Sequence, residues 1–395
     1  MPRAVWLLVI GMAVNVTGSS LLWPLNAIYI HDHLGKSLSV AGFVLMCNAA
    51  ASVIGNLVGG SLFDKIGGYK SILLGIGISL VSVIALIFWS GWPYYVLFLT
   101  VLGFGSGIVF PSMFAMAGTV WKEGGRRAFN AIYVAQNLGV AIGAALGGFV
   151  ASYSFQFIFI ANALMYVIFL FIAGFGYRNL QTMEERKVSK EKEHEWQKHR
   201  RNLQALFILC LGYLLCWVAY VQWQSTISTY TQEIGISLKQ YSLLWTINGA
   251  MIVLGQPLLN GIIHAFKKPL KHLMIAGMVI FILSFVTASF ANGFFGFLLA
   301  MMILTLGEML VWPAVPTIAN QLAPKGKSGL FQGIVNSTAT GGRMIGPVLG
   351  GLLVDLYGMM VLFILVTSLF IFSILTTIFY DRRLKDRHTM MKKAS

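Results

Sequence analysis

Gly60-Ser61-Leu62-Phe63-Asp64-Lys65-Ile66-Gly67-Gly68-Tyr69-Lys70 is a short basic hinge between two apolar runs, residues 39–63 and 70–90. Each run has the length a helix needs to cross a hydrocarbon core about 30 Å thick. Working outward, the same alternation predicts further helices at 4–30, 93–118, 127–151, 154–176, 204–229, 239–264, 271–291, 293–320, 329–354 and 357–380. The expected fold is an all-α membrane protein with twelve transmembrane helices in two six-helix bundles. The division runs 1–176 for the N-terminal bundle, 177–203 for a cytoplasmic linker loop, 204–380 for the C-terminal bundle and 381–395 for a cytoplasmic basic tail.

Composition agrees. Of 395 residues, 57% are hydrophobic and 10% charged, whereas a soluble domain carries about 25% charged residues. Such a chain cannot cover its own surface in water and must be solvated by lipid. The opening stretch imitates a signal peptide, but its apolar run continues through Trp23-Pro24 to Ile30, so it reads as the first span. Cys47, Cys210 and Cys216 lie inside apolar runs without metal-ligand spacing and read as packing residues.

The net charge of +15 invites a nucleic-acid reading, which its placement opposes. Lys and Arg crowd alternate connections: Lys65 and Lys70; Lys122, Arg126 and Arg127; the 177–203 stretch; Lys267, Lys268 and Lys271; Lys325 and Lys327; and the tail from Arg382. The opposite connections hold only Lys36 and Lys239. This asymmetry places both termini and the 177–203 loop in the cytoplasm. The 177–203 segment reads as a solvated linker, with a regulatory or lipid-contacting role as the alternative.

The halves repeat at an offset near 200 residues. Gly105 with Pro111 answers to Gly307 with Pro313, and Gly139, Gly143 and Gly147 answer to Gly342, Gly346 and Gly350. Such small-residue ladders, with Pro347 in the second, are helix-packing faces. Parallel repeats of this kind in transporters rock about a site near the midplane.

The hinge at 60–70 resembles the helix 2–3 loop of the major facilitator superfamily, G-x-L-x-D-[RK]-x-G-[RK]-[RK]-[RK]. Gly60, Leu62, Asp64, Lys65, Gly67 and Lys70 match, while Gly68 and Tyr69 replace basic residues. The resemblance implies that Gly60, Asp64, Lys65, Gly67 and Lys70 form a conformational latch. The glycine ladder in helix 5 is similar to the signature of the drug:proton antiporter branch, with Ala144 where a proline is usual; the complete form stands in helix 11. Tyr133 to Leu138, Gly143 to Gly147 and Thr305 to Glu308 with Pro313 are similar to multidrug transporters of that branch. The helix 4 arginine usual there is not evident around 98–102, and Ile132 and Gln224 stand where such a transporter has membrane acids.

Of the thirteen acids, only Glu308 falls in the middle of an apolar helix. A carboxylate there costs several kcal/mol and is a functional candidate by default. Desolvation disfavours its charged form, suiting it to bind and release a proton as access alternates. Arg343, on the neighbouring predicted helix, is the alternative fate of that acid: a permanent ion pair would remove it from proton traffic. Proton coupling is therefore assigned to Glu308 and Arg343.

Helices 1, 4, 7 and 10 line the cavity in this family. They offer Asn15, Trp23 and Asn26; Phe110 and Phe114; Tyr220, Gln222, Trp223 and Gln224; and Trp312 with Glu308. Aromatic faces with a few amides suit an amphipathic small-molecule substrate. Phosphate esters and di-acids would need clustered cations, and only Arg343 is available. His31 and His33 flank Asp32 at a helix end and read as a wet boundary rather than a metal site. No catalytic constellation, phosphate-binding glycine loop or zinc signature occurs. The expectation is a monomeric secondary transporter, not an enzyme, that exports amphipathic compounds, with the proton as coupling ion and no other cofactor. Transport of one specific metabolite, sugar or lipid-linked molecule, or a sensor without transport, stay open as alternatives.

Overall fold

The computed structural model describes residues 1–151, 153–180, 194–266 and 269–382. Among these, twelve helices of 18 to 30 residues carry the chain. They are α1 Arg3–Leu22, α2 Leu38–Ile66, α3 Gly68–Phe88, α4 Tyr94–Val120, α5 Arg126–Ala151 and α6 Phe155–Gly176. The second six are α7 His194–Tyr220, α8 Leu238–Phe266, α9 Leu270–Ser289, α10 Phe294–Val311, α11 Ser328–Tyr357 and α12 Met359–Phe379. Eleven are long and apolar enough to cross a membrane. α11 has the length but carries Asn336, Ser337, Thr338, Thr340 and Arg343 among its glycines, which lowers its hydropathy.

Local chemistry sets the boundaries. Ser37 caps α2 by accepting from the Val40 N–H at 3.3 Å, and Ser154 caps α6 by accepting from Gln156 at 3.2 Å. Gly67, at φ +89°, turns α2 into α3 through a backbone conformation that side-chain-bearing residues avoid. Three spans expected to be continuous are broken. Turns at Trp23–Leu25, Asn26–Ile28 and Tyr29–His33 extend α1, because Pro24 has no N–H to give. Ala314–Leu322 extends α10 past Pro313, and Val221–Trp223 then Thr226–Glu233 extend α7. At that last break the freed Trp223 carbonyl accepts the Tyr241 hydroxyl.

One boundary needs correction. The seventh helix begins at His194, not near 204, so the end of the predicted linker is helical. Its Glu, Lys and Arg residues are good helix formers that hydropathy does not register. The Asn202 amide secures this extension by donating to the Leu322 carbonyl at 2.7 Å. Residues 181–193 of the linker and 383–395 of the tail lie outside the described residues.

The chain divides into two compact units: Met1–Val188 with Lys325–Thr340, and Ser189–Pro324 with Gly341–Ser395. This differs from a division at the linker alone, because the first part of α11 packs with the first unit. Inside each unit a glycine ladder lets two helices touch backbone to backbone. In the first, a Cβ on Gly139, Gly143 or Gly147 of α5 would stand 2.8, 2.4 or 2.7 Å from the carbonyl oxygens of Ala13, Thr17 or Leu21 on α1. In the second, a Cβ on Gly342 or Gly346 of α11 would stand 3.0 Å from the carbonyl oxygen of Leu214 or Val218 on α7, while one on Gly350 would meet the Gln222 side chain. Gly143→Val should cost about 1–3 kcal/mol through overpacking, seen as a lower melting temperature in detergent. Ala145→Val, on an exposed face of α5, should melt with the wild type.

Candidate transport site

In the second unit the acid is enclosed. Glu308 is 3% exposed near the end of α10. Asn248 of α8, itself buried, donates its Nδ2 to Glu308 Oε1 at 2.8 Å and to Thr305 Oγ1 at 2.9 Å. The Thr305 hydroxyl donates in turn to the Met301 carbonyl at 2.8 Å. The two protons of one amide nitrogen thus tie the carboxylate to the turn before it. Burying a carboxylate is costly, and charge-assisted donors of this kind offset part of that cost. Asn248 carries no charge and does not stand out in the sequence, and Thr305 stands out there only as part of the stretch that resembles the family. An amide midway through 239–264 was the available signal for Asn248.

One turn on from Glu308 lies an aromatic group. The Trp312 and Trp217 rings stack at 4.4 Å and 11°, with Tyr213 at 5.8 Å and Tyr220 at 5.2 Å edge-on to Trp312. The Arg343 guanidinium lies 5.0 Å from the Trp217 ring centroid. Glu308, Arg343, Tyr220 and Trp312 therefore belong to one neighbourhood of the second unit. The other residues expected in a cavity on α7 take different places. Gln222 is buried, donating to the Val218 and Gly346 carbonyls at 2.9 and 2.8 Å. Trp223 is buried edge-on to Phe285 and Phe297, and Gln224 is exposed.

In the first unit the expected cavity residues are not gathered. Asn26 accepts the buried Tyr95 hydroxyl at 2.7 Å, and Phe114 stacks on Phe129. Asn15 is buried, Phe110 half-buried and Trp23 exposed. The basic hinge is more organised. Asp64 accepts the Gly329 and Leu330 N–H groups, one on each carboxylate oxygen, both at 2.8 Å. Its charge faces the positive N-terminal end of α11. Gly60 makes this possible: a Cβ there would stand 2.3 Å from the Gly329 carbonyl oxygen. Lys65 and Lys70 are exposed. His31 Nδ1 lies 2.8 Å from the Lys36 carbonyl, and His33 stacks on Tyr29. No group of three metal-binding side chains occurs among the described residues.

The family model for the Major Facilitator Superfamily matches residues 8–270 and 224–393. The chain belongs to this superfamily. It is accordingly a multi-pass membrane protein and a secondary transporter of small molecules, not an enzyme. It is 59% identical over 395 residues to the uncharacterized MFS-type transporter YttB of Bacillus subtilis (strain 168), covering 100% of this chain and 99% of that one. It is 25% identical over 379 residues to the quinolone resistance protein NorA of Staphylococcus aureus (strain MSSA476), covering 90% of this chain and 91% of NorA. Among solved structures, the human organic anion transporter MFSD10 (TETRAN) superposes with a TM-score of 0.76 at 15% identity, covering 95% of this chain and 100% of that one. A POT family transporter in complex with 5-aminolevulinic acid gives 0.70 at 18% identity, covering 97% of each chain. At these identities the two structures speak for the superfamily fold alone.

Proposed function

We propose that this superfamily member exports hydrophobic or amphipathic compounds in exchange for protons, as a multidrug-type antiporter working by alternating access. It sits in the cell membrane with both termini in the cytoplasm, a reading that the distribution of Lys and Arg supports. The observation that carries the coupling is Glu308: a carboxylate 3% exposed inside a span, held by Asn248, one turn from the Trp312–Trp217 stack. The Asn248 amide is a neutral donor that can stay bonded to this acid when it takes up a proton. Likeness to a quinolone resistance protein supports a drug-like substrate. The grip of Asp64 on the first turn of α11 supports a latch that one step of the cycle must release.

Proteoliposomes acidified inside should accumulate a fluorescent amphipathic dye as protons leave, and a protonophore should abolish the accumulation. Dye movement indifferent to the gradient, or none at all, would defeat the proposal. Asn248→Leu should lower dye turnover about ten- to one-hundred-and-fifty-fold, since a hydrogen bond to a charged group is worth about 1.5–3 kcal/mol. Thr305→Ser keeps the hydroxyl and should stay near the wild-type rate.

A further inference from the structure

We propose that the groove between α3 and α6 holds a phospholipid whose headgroup carries a net negative charge, seated with its phosphate at Arg178.

The groove lies inside the first unit and has a volume of about 600 Å³. Tyr69 and Leu73 of α3 form one wall, and Phe171 and Phe175 of α6 form the other. The two phenylalanine rings stack, with centroids 6.2 Å apart and planes within 5° of parallel. They are 60% and 82% exposed, so this wall of the span faces acyl chains. Gly174 forms the floor. A Cβ there would meet nothing within 4 Å, and its carbonyl accepts the Tyr69 hydroxyl at 3.2 Å. That hydroxyl ties α3 to α6 while the glycine leaves the space above it open.

Arg178 and Asn179 line the same groove just past the end of α6 at Gly176. This is the boundary of the span, on the side that the proposed orientation makes cytoplasmic. Both residues are exposed, and Arg178 has no ion pair or hydrogen bond among the described residues. A guanidinium presents paired N–H donors that match a phosphate, and the neighbouring amide carries two more. No carboxylate stands among the described residues that line the groove. The ammonium of a zwitterionic headgroup would therefore meet a like charge and no counter-charge, which selects a net negative headgroup. Basic side chains near a membrane surface attract anionic lipids in general. The open floor at Gly174 is what gives this one a fixed seat.

A groove in the second unit shows what the cation adds. It has a volume of about 500 Å³ and only apolar side chains, Leu214, Leu352 and Leu365 among them. It offers a surface to acyl chains and nothing to a headgroup.

The test is photocrosslinking of the full chain in vesicles of equal parts dioleoylphosphatidylglycerol and dioleoylphosphatidylcholine, with the lipid adducts identified by mass spectrometry. Photoreactive p-benzoylphenylalanine takes the place of Phe175 in one protein and of Leu352 in another. At the first position the glycerol lipid should be captured about five-fold over the choline lipid, the effect of one basic residue at an anionic surface. At the second the two should be captured equally. Arg178→Gln should bring the first position to equal capture and leave the second unchanged, which also reports that the variant is folded. Gly174→Leu fills the floor without a clash and should cut total capture at the first position several-fold; it decides the matter should Arg178→Gln fail to fold. Both lipids occupy both leaflets, so the result does not depend on orientation. Equal capture at the first position, a preference unchanged in Arg178→Gln, or capture unchanged in Gly174→Leu would overturn the proposal. So would loss of the adduct to sodium phosphate beyond that caused by sodium chloride of equal ionic strength, which would mark a site for the free anion.

Discussion

Glu308→Gln should reduce the accumulation ratio of an amphipathic dye from about ten to about one at a gradient of one pH unit, while dye–dye exchange continues near the wild-type rate. One pH unit supplies about 1.4 kcal/mol for one proton, a ten-fold ratio when coupling is complete. Glutamine copies the shape of the protonated acid and still accepts from Asn248, whose donors lie 2.8 and 2.9 Å from Glu308 and Thr305. The variant therefore keeps its packing and can cycle with substrate aboard. It has no proton to give up, so a gradient cannot bias the cycle. A permanent ion pair between Glu308 and Arg343 makes the opposite prediction. Removing one member of a buried pair costs about 3–5 kcal/mol, and both exchange and accumulation would be lost with the fold. Accumulation and exchange measured on the same proteoliposomes separate the two. Retained gradient-driven accumulation would remove Glu308 from proton coupling altogether.

The helices were legible because the bilayer imposes a length on apolar runs. Expected spans at 39–63, 127–151 and 154–176 correspond to α2 Leu38–Ile66, α5 Arg126–Ala151 and α6 Phe155–Gly176. Hydropathy measures where lipid begins, however, and not where hydrogen bonding stops. The helical turns from His194, in a charged stretch, were therefore read as loop. Rotation about each helix axis was harder still. Spans apolar on every side carry little information about which side faces a neighbour. Gln222 and Asn26 looked like cavity amides, but each bonds inside its own unit, Gln222 donating to the Gly346 carbonyl and Asn26 accepting from the Tyr95 hydroxyl. Charge was easier to place, since a buried acid in a span is rare and must be accounted for. Glu308 stood out for that reason, whereas Asn248 did not.

Gly60→Val should be more damaging than any change to the charged residues of the basic hinge. A Cβ at Gly60 would stand 2.3 Å from the Gly329 oxygen, 2.8 Å from its carbonyl carbon and 3.2 Å from the Gly333 Cα. All three are backbone atoms, so no rotamer can relieve the contact and α2 must separate from the start of α11. Separation lengthens both Asp64 hydrogen bonds, which are 2.8 Å to the Gly329 and Leu330 N–H groups. Each bond to a charged group is worth about 1.5–3 kcal/mol, and overpacking adds about 1–3 kcal/mol. Asp64→Asn leaves the backbones in contact and removes only the charge, so its effect should be several-fold smaller. The expected results for Gly60→Val are at least a ten-fold loss of dye transport and faster amide exchange across Lys325–Thr340. Gly77→Val on α3 is the matched control, because nothing lies within 4 Å of its added Cβ, and it should behave as wild type. Unchanged exchange across Lys325–Thr340 in Gly60→Val would mean that the glycine contact does not hold α11 in place. In that case Asp64 alone would have to account for any latch.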